Sequence, residues 1–397
     1  MASDGTATRR STRLHPGFAA LVVAAAAVLA ACAPPPPEPA TGPSPDDAPR
    51  AGEAAYVGPG PHGVGVTTIS LGDRDMELWY PASPEAVAGQ PRDTYYVRDF
   101  VAGWLEELLD PEVDPPYETA AVRDVAPSPE GPFPLVLFSH GFAGFRLTST
   151  ELTTHLASWG FVVIAPDYLE RGLASVLGDA VAQPRSDTDV ADEAIEAARS
   201  ANAEPGGPLE GVIDGSDVLA FGHSAGGGTS IRLLERDDVA AAVPMASGIS
   251  ELSLIAGDAP VLPPGKSVTW IAARGDNIAA VANARTGFTY TAGPRRLIEL
   301  DRSGHNNAFT ELCEIGDGGI AAIARTTGLP IPDSLLALGD DGCRRPPNAA
   351  GPEVWDEVRH FLTAEMRLRA GLDSEPVGLG DAVLANFDDV LVYRHDP

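Results

Sequence analysis

Lysine is nearly missing from this chain: Lys266 is the only one in 397 residues, against a formal net charge of −29. Phosphate binding needs clustered cations, so this balance argues against nucleic acid or an anionic membrane face and leaves neutral or cationic partners. The acidity itself reads first as a solvated surface. Cysteine is scarce too, with three in all, and no His, Cys and carboxylate residues stand at metal-ligand spacing. No Gly-Lys-Ser/Thr follows Gly226-Gly227-Gly228, which excludes a phosphate loop. No metal or cofactor is called for. What the chain does have is apolar content: 44% of its residues are hydrophobic, enough for a large core and too many for a disordered chain.

The longest apolar run, Phe18 to Ala30, is too short for a stable bilayer span. It follows Arg9, Arg10 and Arg13 and ends at Leu29-Ala30-Ala31-Cys32, so residues 1–31 read as a secretory signal. The tetrad resembles the bacterial lipobox, which makes Cys32 the expected lipidation site and places the protein, exported, in a bacterial cell envelope; plain cleavage beside an incidental cysteine is the alternative. Residues 32–56, rich in proline and acid, read as an extended tether, and the lipid anchor is then the expected membrane contact. Two cysteines remain, Cys313 and Cys343. In an exported chain, across a glycine-rich loop, they are expected to pair as a disulfide.

From about residue 57 to 397 the composition is uniform and unrepeated, as for one domain. "GVGVTTISL" and "MELWYPA" alternate like antiparallel strands joined at Gly72-Asp73, and a helical insertion follows around "VRDFVAGWLEELL". Continuous apolar runs, "FPLVLFS", "FVVIAPDY" and "DVLAFGHS", then alternate with amphipathic stretches. One of these, "TSTELTTHLASWG", carries a Thr148-to-Glu151 capping box. "VAAAVPM", "SVTWIAA" and "RRLIEL" are further strands, and Val354, Val358, Phe361 and Leu362 fall on one face of a late helix. The expected class is α/β, a mostly parallel sheet with helices on both faces.

Ligands of such sheets gather at the carboxyl ends of the strands. At one of these ends stands Gly222-His223-Ser224-Ala225-Gly226, a G-x-S-x-G turn between a strand and a helix; Gly222 and Gly226 let the two approach closely. A serine hydroxyl needs a base and an orienting acid to act as a nucleophile. Asp276 and His305 follow in that order, each just past a strand. Backbone N–H groups of Ala225 and Phe142, the latter in "SHGFAG", are the expected oxyanion donors. Asp301 and Asp167 are alternative acids. His223 reads as packing and His140 as an organiser of the oxyanion loop. His155 and His62 have no partner by spacing, while Phe142, Phe145 and Tyr168 are candidate pocket residues.

Together "FPLVLFSHGFAGFR", "LASWGFVVIAPDY", "GHSAGGG", "GDNIA" and "SGHNNAFTELC" resemble the α/β-hydrolases around cutinase-like polyester hydrolases, dienelactone hydrolases and platelet-activating-factor acetylhydrolases. The likeness runs from Gly58 to Met366. It implies the α/β-hydrolase fold and cleavage of a small-molecule, lipid or polymeric carboxylic ester through an acyl-enzyme, with no cofactor. The segments 99–114 and 313–343 are longer than in compact cutinase-like enzymes, and either would cover the site and weaken the polymer reading. A lipase, a phospholipid acylhydrolase or a peptidase would use the same triad, and an inactive hydrolase fold serving as a surface binding protein is the alternative outside enzymes.

Overall fold

A computed structural model describes residues 53–396 except 107, 111 and 329. The signal segment, Cys32 and most of the tether lie outside the described residues. The tether's expected last residue, Tyr56, is buried: its N–H donates to His360 Nδ1 and its carbonyl accepts from His155 Nε2.

The opening hairpin forms as its alternation predicts, with β1 (Gly63–Ser70) and β2 (Asp75–Ala82) antiparallel. Gly72 takes the turn at φ +85°, where a side chain would be strained. After α1 (Pro84–Val87) the expected helical insertion is broken into smaller pieces: a two-residue ladder of β3 (Thr94–Tyr95) and β4 (Tyr117–Glu118), a 3-10 turn at Val97–Phe100, and α2 (Gly103–Glu106). Buried Asp114 is the reason, because its carboxylate takes the N–H groups of Val97 and Arg98 and the Arg98 guanidinium, which fixes a turn instead of a continuous helix.

From β5 (Val122–Arg123) onward, strands and helices alternate: β6 (Phe133–Ser139), α3 (Thr150–Ser158), β7 (Val162–Pro166), α4 (Leu173–Val176), α5 (Asp187–Ala203), β8 (Ile213–His223), α6 (Ala225–Arg232) and β9 (Val239–Met245). Then come α7 (Glu251–Ala256), β10 (Ser267–Ala273), α8 (Val281–Tyr290), β11 (Arg295–Leu300), α9 (Ile320–Thr326), α10 (Asp333–Asp340), α11 (Gly351–Arg369) and β12 (Val390–Asp396). The sheet runs β12-β11-β10-β9-β8-β6-β7-β2-β1-β5. Its centre, β7 through β11, is parallel, flanked by antiparallel β2 and β12, so the fold is the mostly parallel α/β arrangement of the α/β-hydrolases.

Alternate strand residues face opposite sides. Val136, Phe138, Leu219 and Phe221 pack with α3 and α11 through Leu152, Leu156, Val358 and Phe361. Leu135, Leu137, Val218 and Ala220 pack with α5 and α6 through Ile195 and Ile231. Because β7 lies on one side of β6 and β8 on the other, the loops leaving β6 and β8 diverge, and this switch point opens a crevice at their carboxyl ends.

The Thr148-to-Glu151 capping box does not form. Glu311 reaches in from more than 150 residues away and accepts the first helical N–H, that of Thr150, at 2.7 Å. Thr148 Oγ1 donates instead to Phe145 O, and Glu151 pairs with Tyr117 and Arg359. Tyr95 also donates to Glu311 Oε1, while Oε2 is buried without a partner among the described residues. Burial, with Glu151 nearby, pushes the Glu311 carboxyl up from 4.5 to about 7. The folded state therefore holds a proton that the unfolded chain releases, so this group's stabilisation is full below pH 4.5 and is lost as pH rises through 7. Burial raises Glu357 to about 7 as well. Over part of this window the buried histidines His140, His155, His223 and His360, pushed down to about 3 to 4, add stability as pH rises, so urea unfolding across pH 4.5–8 should show Glu311→Gln gaining stability with pH more steeply than the unmodified protein; an equal slope in the two would show that Glu311 does not titrate there.

Candidate active site

Ser224 stands where β8 ends and α6 begins, with φ 56° and ψ −120°. A non-glycine residue in this region is strained and persists only when its surroundings impose it. Here they do. A Cβ on Gly226 would lie 1.9 Å from the carbonyl oxygen of Ser139, and one on Gly222 would lie 2.2 Å from that of Gly226. The strand ends and the helix meet backbone against backbone, and Ser224 N–H is tied to Met245 O on β9 at 2.9 Å.

Past β10, Asp276 is buried and its Oδ1 accepts the N–H groups of Ile278 and Ala279 at 2.8 and 2.7 Å. Its Oδ2 faces His305 Nδ1 at 2.8 Å. That pairing orients the imidazole and leaves Nε2 as its other working atom. His305 Nε2 is buried and has no partner among the described residues; it shares no hydrogen bond with Ser224 Oγ in this structure. The two residues are neighbours through His223, whose ring lies 4.7 Å from that of His305 and whose Nε2–H donates to His305 O at 2.8 Å. His223 therefore does more than pack: it fixes the backbone of His305. Burial, with His305 beside it, drives the His223 imidazole down to about 3, so it stays neutral.

Of the alternative acids, Asp301 is exposed, and Asp167 is committed to Arg146. Asp341, which no sequence signal singles out, holds both loops together. Its Oδ1 accepts His305 N–H at 2.7 Å and its Oδ2 accepts Asn277 Nδ2–H at 2.9 Å. Its neighbour Gly342, at φ +91°, lies so close that a Cβ on Gly304 would meet the Gly342 Cα at 2.6 Å. One residue further on, Cys343 is bonded to Cys313.

The "SHGFAG" loop leaves β6 beside the elbow, where a Cβ on Gly141 would lie 3.1 Å from that of Ser224. His140 Nε2 accepts the Tyr168 N–H, so its proton is on Nδ1, which donates to Gly141 O at 2.9 Å. Burial, with Arg171 nearby, pushes this imidazole down to about 3 and keeps it neutral. Arg171 is a second residue the sequence did not signal. Its carbonyl accepts Ala143 N–H at 2.8 Å, and its guanidinium donates to His140 O while lying 4.0 Å over the Tyr168 ring. Neither Phe142 N–H nor Ala225 N–H meets an acceptor among the described residues, so both remain available to a ligand.

These loops border an apolar cavity. Gly141, Phe142, His223 and His305 form part of its lining, and Val101, Leu105, Leu312 and Leu336 extend it. Ser224 is half-buried next to this lining but is not itself part of it. The other expected pocket residues are elsewhere: Phe145 stacks on Phe100 in the core, and the Tyr168 hydroxyl pairs with Ser139. His155 is buried in α3, and half-buried His62 is 3.7 Å from Glu130. Among the described residues no cluster has the makings of a metal site, and no helix is long and apolar enough to cross a membrane.

One comparison with known proteins bears on this geometry. Its match takes in the β6 loop and the serine elbow but stops at the start of β9, before Asp276 and His305. Over residues 106–239 the chain is similar to the chlorophyllase family, whose esterases share the α/β-hydrolase fold.

Proposed function

We propose that this protein hydrolyses carboxylic esters, with Ser224 as nucleophile, His305 as general base and acid, and Asp276 as the group that orients His305. What carries the reading is the Asp276–His305 contact at 2.8 Å, with His305 Nε2 left buried and unpartnered beside a strained serine. Such hydrogen bonds are often loose without substrate and tighten in the complex.

In the reaction, Ser224 Oγ attacks the ester carbonyl carbon as its proton passes to His305 Nε2. The carbonyl oxygen becomes an oxyanion that accepts from Phe142 and Ala225 N–H. Collapse breaks the carbon–oxygen bond to the alcohol, which takes the proton from His305 and leaves an acyl-enzyme. Water then gives its proton to His305 and attacks the acyl carbon; the carboxylic acid departs as the proton returns to Ser224. Both insertions reach the cavity through Leu105 and Leu336, which favours small or lipid esters over a polymer in an open trough.

We further infer export and lipid anchoring at Cys32 in a bacterial envelope, a reading supported by the Leu29-Ala30-Ala31-Cys32 tetrad.

Ser224→Ala should lower kcat on p-nitrophenyl esters by about 10⁴-fold or more and abolish fluorophosphonate labelling. Labelling at another residue, or full turnover in the variant, would refute the assignment. Asp341→Asn keeps one acceptor of two, so kcat should fall about tenfold with KM little changed, because His305 is misplaced and substrate contacts are not. A rise in KM alone would count against that role. Metabolic labelling with a fatty acid should be lost in Cys32→Ser; persistence of the label would place the anchor elsewhere.

A further inference from the structure

We propose that Arg171 is a positioning residue of the reaction, fixing the Phe142 N–H against the Ala225 N–H so that both meet one oxyanion. The inference rests on the esterase reading and adds to it a residue outside the triad.

The two donors belong to different elements, the loop after β6 and the first turn of α6, so their separation has to be set from outside. Arg171 ends a 3-10 turn, Leu169–Arg171, just past β7. It grips the loop twice. Its Nε–H donates to His140 O at 3.1 Å, in the peptide just before Gly141, and its own carbonyl accepts Ala143 N–H at 2.8 Å, in the peptide just after Phe142. The Gly141–Phe142 peptide, which carries the donor, is therefore clamped on both sides by one residue. Ala143 at φ 55° is a strained non-glycine residue, and such residues persist only where their surroundings impose them.

The far end of the guanidinium reaches α6. Nη1–H donates to Thr229 Oγ1 at 3.0 Å and to Asp187 Oδ2 at 2.7 Å, and the Thr229 hydroxyl donates to the same Asp187 oxygen at 2.7 Å. Thr229 stands about one helical turn beyond Ala225. Arg171 thus spans from the loop that carries one donor to the helix that carries the other.

An arginine kept only as a brace would be expected to use all of its donors. This side chain is 12% exposed, yet Nη2 is buried with no partner among the described residues. Burying a charge is costly unless it is paired and hydrogen-bonded, and a buried donor left unsatisfied calls for a function.

Two variants test the role. Arg171→Lys keeps the charge but has no fork to reach His140 O, Thr229 and Asp187 together. Thr229→Val keeps the volume and breaks the link at α6, a loss of one hydrogen-bonding group that the fold can bear if the first variant does not fold. Each is compared with the unmodified protein on p-nitrophenyl butyrate and on its thiono analogue, in which sulfur replaces the carbonyl oxygen. Sulfur is larger and accepts hydrogen bonds weakly, so preference for the oxygen ester reports how the oxyanion fits its donors, not the state of Ser224 or His305. On the oxygen ester kcat should fall about 10²-fold in Arg171→Lys and about tenfold in Thr229→Val, with KM little changed. Preference for oxygen over sulfur should fall about tenfold and about threefold respectively.

A preference that is unchanged or raised in the variants, or missing from the unmodified protein, would overturn the positioning role whatever happens to stability or kcat, and would leave the esterase reading standing. If the unmodified protein cleaves no p-nitrophenyl ester at all, the esterase reading falls and the role of Arg171 falls with it.

Discussion

The approach of α6 to the ends of β6 and β8 is closer than side chains allow, and the site depends on it. With no Cβ at Gly222 or Gly226, the helix start sits on the Ser139 carbonyl and the chain between must turn within one residue. That residue is Ser224, whose φ of 56° follows from the contact. The same contact places the N-terminal end of α6, with its unpaired Ala225 N–H, beside the Gly141–Phe142 backbone. The proposed nucleophile and oxyanion donors are thus set by one steric condition.

Around this rigid centre the polar groups are held by neutral or fully engaged partners. His140 and His223 are kept neutral by burial and work as hydrogen-bonding struts. Asp276 accepts two backbone N–H groups and the His305 ring, so it cannot rotate without breaking several bonds. Asp341 ties the His305 loop to the Asp276 loop from beneath. Preorganisation of this kind lets a site stabilise developing charge without moving at the moment of reaction.

The parallel strands were legible because sheet strands covered on both faces read as unbroken apolar runs, as "FPLVLFS" does. Ser224, Asp276 and His305 could be picked out for a related reason: each lies shortly after the end of a strand. Asp341 and Arg171 could not, because their partners are brought to them only by the fold; Asp341 is 36 residues from His305 in sequence. The N-terminus of α3 misled in the same way, since a local Thr148–Glu151 signal was outcompeted by a distant carboxylate, Glu311. β12 offers only the short run Val390 to Tyr393, on an edge strand without a buried residue.

The bond between Cys313 and Cys343 joins residues 30 apart, and the segment it closes contains both α9 and α10. Closing a loop of that length removes conformational freedom from the unfolded chain equivalent to about 3–4 kcal/mol. Ordinarily a pair of short helices earns its place by filling space against its neighbours. Helix α9 buries Ala321 and Ile323, but α10 buries no residue and gains little that way, so chain topology supplies what interior packing withholds. A wall stabilised from the unfolded side can stand over a cavity that protein does not fill.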